Sequence, residues 1–180
     1  KHGWGIAQKF RRYEFPPEQL RVADSPGGRF DPVSGDDWER LRTVEESARR
    51  TLSIRRSESW WRQRTLGDWG GSGTPFAFGY ERDGSLRGFV VYTIERDEGS
   101  TPHEASRRLR VRQLSAADDE AHRALLQFLG DHDSQVDTVE LRRPEGSRLL
   151  DRVREPETGT CTVEAGPMVR LTAVDALERF

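Results

Sequence analysis

The chain has one cysteine, Cys161, and only two lysines, Lys1 and Lys9, among its 29 basic residues. A single cysteine excludes an internal disulfide framework and fits a reducing, cytoplasmic setting. No apolar run approaches the roughly 20 residues that span a bilayer, and no signal-peptide core opens the sequence, so a chain without membrane spans is expected. Lys1 leads directly into Gly3-Trp4-Gly5, which reads as the middle of a fold and predicts a piece of a longer protein. Large apolar residues are also scarce. Mean hydropathy is -0.83 and 33% of the residues are hydrophobic, so the core is thin and some surface is expected to lie under neighbours. The formal net charge of -2 gives no global attraction to nucleic acid or anionic lipid. Arginine replaces lysine throughout in dispersed positions, a pattern of a GC-rich or salt-adapted genome rather than of a recognition surface.

The length of 180 residues predicts one compact domain with short extensions. Ile6 to Glu14 reads as a strand stopped by Pro16-Pro17, and the Ser, Pro, Gly and Asp of residues 24–35 read as a linker. Asp36 and Asp37 open a helix whose Trp38, Leu41, Val44, Glu45 and Ala48 share one side. A second helix spans Ser57 to Leu66, and a glycine-rich connection runs from Gly67 to Pro75. Phe76–Arg82 and Leu86–Ile94 form a hairpin at Asp83-Gly84. Arg107–Leu114 adds a third strand. A helix follows with an apolar stripe of Ala121, Ala124, Leu125, Phe128 and Leu129 and a stop at Gly130. Val136–Leu141 is a crossover strand, Ser147–Val153 a short helix, and Thr160–Leu171 two strand pieces split at Gly166-Pro167. Helices flanking a mostly antiparallel sheet with one crossover strand make a mixed α/β (α+β) layer fold.

That order resembles the GNAT acetyltransferase fold, and three segments are similar to the Eis-like family within it. Lys1-His2-Gly3-Trp4-Gly5-Ile6-Ala7 resembles the end of that family's first, catalytic domain. Ile54-Arg55-Arg56-Ser57-Glu58-Ser59-Trp60 is similar to a segment of its central domain. Gly166-Pro167-Met168-Val169-Arg170-Leu171, followed by Val174-Asp175-Ala176-Leu177, looks like its passage toward a sterol-carrier-like domain. The resemblance implies that residues 1–23 end a catalytic GNAT domain, 24–35 link, 36–171 form a central non-catalytic GNAT-like domain, and 172–180 lead to a missing sterol-carrier-like domain. It implies a homo-oligomeric parent that transfers an acetyl group from acetyl-CoA to a small-molecule amine. The family's catalytic tyrosine would precede Lys1 and its catalytic C-terminal carboxylate would lie in the missing domain, so no catalytic residue is expected here, and Phe180 is not that terminus.

A working GNAT site carries an Arg/Gln-x-x-Gly-x-Gly/Ala loop whose N–H groups cradle a pyrophosphate at a helix N-terminus. Here the sequence is Arg112-Gln113-Leu114-Ser115-Ala116-Ala117-Asp118-Asp119-Glu120, without glycine. Ser115 and Asp118 are placed to cap the helix themselves, and Asp118, Asp119 and Glu120 repel a phosphate. No cofactor is expected to be held by this segment. Gly67–Gly73 lacks the Gly-Lys-Ser/Thr of a phosphate loop and reads as a connection. Trp60 and Trp61 are the substrate-pocket candidates: adjacent side chains on a helix point about 100° apart, so one enters the core while the other faces an interface or the acceptor cleft. With Arg49, Arg50, Arg55, Arg56, Arg62 and Arg64 they also permit a nucleic-acid-binding reading, and an active stand-alone GNAT enzyme with a divergent cofactor loop is the other alternative. Asp131-His132-Asp133 reads as a solvated turn rather than a metal site. His122, on a polar helix flank, and His103 and His2, in a loop and near the chain start, lack a nucleophile partner. Cys161 is expected to be a small buried hydrophobe.

Overall fold

The computed structural model describes residues 4–24, 26–48, 54–71, 73–96 and 106–170. His2, His103, Arg49, Arg50, the start of the first family-like segment and residues 171–177 of the last lie outside the described residues. Nine strands appear among the described residues: β1 (Gly5–Ile6), β2 (Lys9–Phe15), β3 (Arg29–Pro32), β4 (Phe76–Arg82), β5 (Ser85–Arg96), β6 (Arg107–Ala116), β7 (Thr138–Pro144), β8 (Thr160–Ala165) and β9 (Met168–Val169). The helices are α1 (Trp38–Ser47), α2 (Glu58–Trp60) and α3 (Asp119–Gly130). Seven strands form one sheet in the order β3-β4-β5-β6-β7-β2-β8, while β1 and β9 make a separate two-stranded ribbon. Only β6 and β7 run parallel; all other pairs are antiparallel.

The mixed, mostly antiparallel architecture is the expected one. Asp83 and Gly84 turn the β4–β5 hairpin with φ of 51° and 72°, the left-handed geometry that the Asp-Gly pair predicts. β5 runs through the middle of the molecule. Phe89 and Val91 belong to a cluster with Leu41, Val44 and Trp61, whereas Val90 and Tyr92 join the larger cluster that includes Tyr13, Phe15, Leu109, Leu125, Leu129 and Leu141. This alternation puts α1 on one face and α3 on the other, and explains why β5 reads as a nearly continuous apolar run.

Four elements differ from the sequence expectation. Residues 24–35 contain β3, which pairs with β4; Phe30 packs 5.3 Å from Tyr80 and 4.5 Å from Phe128. The first long strand, β2, is interior to the sheet, between β7 and β8, so it shares one sheet with the residues that follow the supposed linker. The second helix is a single α turn that widens into a π turn over Trp61–Thr65, where the Leu66 N–H donates to the Trp61 carbonyl at 2.9 Å. Within 147–153 only a 3-10 turn forms, at Leu150–Arg152. Gly130 ends α3 without a positive φ; a Cβ there would stand 2.9 Å from Arg21 Cγ and 3.0 Å from Arg21 N, so close packing, not a left-handed cap, requires glycine.

The reading of residues 131–133 needs correction. Asp131 and Asp133 face solvent and engage Arg21, but His132 between them is buried. Its Nδ1–H donates to the Phe128 carbonyl at 2.8 Å, which leaves Nε2 to accept from the Tyr92 hydroxyl at 3.0 Å. Burial pushes the Tyr92 phenol up to about 12, so it stays a donor across the physiological range. Cys161 is also corrected: it is exposed, because β8 is the sheet edge.

Candidate functional site

The chemistry of this chain has to be sought where β6 meets α3 and where β6 parts from β7. At the first point Asp118, in extended backbone geometry, caps α3: its Oδ1 accepts the Ala121 N–H at 2.8 Å. Arg87, on β5, donates its Nε–H to Asp118 Oδ2 at 3.0 Å and adds a second bond through Nη2. The Ala121 N–H, and then the Arg87 guanidinium, hold the Asp118 carboxyl below the usual carboxylate range against the opposing effect of burial. Asp119 is likewise held low, chiefly by Arg152, and Glu120 pairs with Arg82. Ser115, in contrast to the expectation, takes no part in the cap. It lies buried within β6, opposite Phe89.

This cap has a measurable weight. Asp118→Ala is expected to cost about 1 kcal/mol at neutral pH, as loss of an N-cap side chain does. Because the folded carboxyl titrates below its unfolded value, its contribution is fully present above about pH 4 and is lost as pH falls through the folded value. Urea midpoints at pH 7 and pH 3 check this: the gap between wild type and variant narrows at the lower pH.

At the second point, β6 and β7 pair from Arg108↔Thr138 to Val111↔Leu141 and then separate. The β6 carbonyls beyond Val111 therefore lose their sheet partners on that side. Arg143, on β7, reaches across and donates Nη1–H to the Leu114 carbonyl at 3.0 Å. Arg112 donates to the Arg64 and Gly67 carbonyls at 2.9 and 3.3 Å, and Gln113 donates to Glu45 at 3.0 Å while accepting from Arg56. The wedge between the parallel strands is thus bridged by Arg143, and the helix end beside it carries three carboxylates. Those residues do not fit a pyrophosphate-bearing cofactor bound in the usual way for such a helix end.

The two tryptophan candidates separate as adjacent helical side chains must. Trp61 is fully buried against Phe89, ring centroids 5.8 Å apart, and its place is the core rather than a pocket wall. Trp60 is exposed, with the Arg64 guanidinium 4.6 Å from its ring centroid. Sequence reasoning missed Trp69, which lies in the glycine-rich connection yet meets the same guanidinium at 3.8 Å. The only available signal was an aromatic residue inside a segment otherwise built for flexibility. Arg62 pairs with Asp36 and Glu58, and Arg56 with Glu45, so these arginines are already committed to carboxylates. No group of three or more metal-ligating side chains occurs among the described residues, and no helix among them is long and apolar enough to cross a membrane.

Comparison with known proteins places this geometry. A sequence model of the acetyltransferase (GNAT) domain matches residues 52–171. The chain is similar to the crystal structure of Eis1 from Mycobacterium abscessus, with TM-score 0.74 and 27% identity over 97% of this chain and 44% of that one. It shares its fold with the GCN5-related N-acetyltransferases of Anabaena variabilis (TM-score 0.74, 17% identity, 91% of this chain and 40% of that one) and Kribbella flavida (0.64, 20%, 94% and 39%). The chain therefore spans less than half the length of these proteins. No curated protein matches it.

Proposed function

This chain belongs to the acetyltransferase (GNAT) domain family, and we propose that it is the central, non-catalytic domain of an Eis-like, acetyl-CoA-dependent amine N-acetyltransferase. In this reading the parent protein is cytoplasmic and homo-oligomeric. Its preceding domain holds acetyl-CoA and performs the transfer, a sterol-carrier-like domain follows, and the present chain scaffolds both and forms one wall of the amine pocket.

The observation that carries the reading is the occupied N-terminus of α3. Asp118 fills an N–H position that an active domain leaves for phosphate, and Asp119 and Glu120 add like charge beside it. A domain with its anion site closed in this way acts through its surfaces. Those surfaces support the reading: Trp4, Ile6, Met168 and Val169, all on or beside the β1–β9 ribbon, leave about half of their area exposed, a concentration of apolar area that suits cover by neighbouring domains. Of the two pocket candidates, Trp60 supplies the wall and Trp61 supports it from the core.

Thermal unfolding with and without acetyl-CoA tests the proposal. A ligand at 100 times its dissociation constant stabilises the native state by about 2.7 kcal/mol, and no shift is expected. A clear shift overturns the scaffold reading in favour of an active domain with a divergent cofactor loop.

A further inference from the structure

The Arg64 guanidinium is held between two aromatic faces. Arg64 Cζ lies 4.6 Å from the Trp60 ring centroid and 3.8 Å from that of Trp69. The neighbouring Arg56 and Arg62 each pair with carboxylates, whereas Arg64 forms no ion pair among the described residues. Both indoles nevertheless keep access to solvent, Trp60 at 41% and Trp69 at 50% exposure. Two different local devices bring them together. The Ser57 hydroxyl caps α2 by accepting the Trp60 N–H at 3.3 Å, which fixes the first ring. The second ring rides on a backbone that passes through positive φ at Gly70 and Gly71, 86° and 72°, conformations that only glycine adopts without strain.

We propose that the Trp60–Trp69 pair is a binding site for organic cations and that Arg64 is its resident, displaceable occupant. The face of an indole attracts cations through its quadrupole, and the attraction is largest for groups that give up water readily. Guanidinium and alkylammonium groups qualify; small inorganic cations, tightly hydrated, do not. Arg64 leaves no carboxylate unpaired when it swings out, and its charge returns to water, so the exchange with an incoming cation is close to balanced. The ligand class is a small molecule with a guanidinium or alkylammonium head. This names a chemistry for the wall that Trp60 contributes, yet it rests on the ring geometry and stands whether or not acetyl-CoA binds.

Agmatine, which carries both cationic groups, is the probe, with the neutral planar butylurea as control, both titrated into the tryptophan-labelled chain at constant ionic strength. The indole N–H resonances of Trp60 and Trp69 are expected to move with agmatine and not with butylurea. Arg64→Gln, by removing the resident cation, is expected to lower the apparent Kd at least fivefold, and Trp69→Leu to raise it at least tenfold. Trp60→Leu repeats the second result from the other ring, on α2, and separates a lost contact from a disturbed loop. Equal responses to the two compounds, or an unchanged Kd in Arg64→Gln, overturn the proposal. So does broadening of the same two resonances with protein concentration that Trp69→Leu abolishes, because the face is then a contact between copies of the chain.

Discussion

Trp61→Ala is expected to lower folding stability by about 3–5 kcal/mol, the range for removing a fully buried large aromatic side chain. Trp61 is inaccessible to solvent and sits among Leu41, Val44, Phe89 and Val91 in the smaller of the two core clusters. A cluster of five buried side chains has few neighbours able to collapse into the space that an indole leaves, which places the cost toward the upper part of that range. Trp61→Phe is expected to cost much less: it keeps most of the apolar contact and deletes a buried indole N–H that has no hydrogen-bond partner among the described residues. Trp60→Ala, one residue earlier, removes an exposed ring and a cation–π contact and is expected to cost about 1 kcal/mol or less. Urea unfolding of the three variants measures the contrast; equal losses at positions 60 and 61 contradict the division of roles between them.

The second large effect lies on the opposite face of the sheet. Leu125→Ala is expected to cost about 2–5 kcal/mol, since Leu125 is fully buried where α3 crosses the sheet. Gly88 on β5 makes room for it: a Cβ at position 88 would lie 3.0 Å from Leu125 Cδ1. Gly88→Ala alone is therefore an overpacking change, with an expected cost of about 1–3 kcal/mol. In the Leu125→Ala background the alanine methyl enters space already vacated, so the second substitution costs less than it does alone. Part of the cost persists, because the Ser115 carbonyl also approaches that Cβ, at 3.3 Å. The double-mutant cycle measures this coupling; strictly additive losses would show that Leu125 does not set the spacing between α3 and β5.

What was legible in the sequence is what local chemistry decides. The three- and four-residue spacing of Ala121, Ala124, Leu125, Phe128 and Leu129 gave α3, Asp118 gave its start, and Asp83-Gly84 gave the hairpin, each through bonds or contacts within a few residues. The Asp118 cap was readable for the same reason, since a cap and its helix are contiguous. Three misreadings involve partners far away in the chain. Arg29–Pro32 looks like linker because its order comes from β4, with Arg29 paired to Glu81. His132 looks solvated between two aspartates because nothing nearby announces Tyr92, forty residues upstream. The π turn after Trp60 depends on Arg112 holding the Arg64 and Gly67 carbonyls from β6. Trp69 was passed over because the glycines around it signal only freedom, not the cation to which that freedom delivers the ring.

The position of β2 has a consequence for how the molecule is made. It leaves the ribosome before β3 to β6, yet both of its neighbours, β7 and β8, are made after all of them. Tyr13 and Phe15, both destined for the core, must wait until more than a hundred further residues have been synthesised before any strand can pair with them. Such separations slow folding and prolong the exposure of apolar strands. The nascent chain thus carries an unpaired, aromatic strand until β7 emerges, and a chain interrupted before β7 leaves that strand without its sheet neighbours.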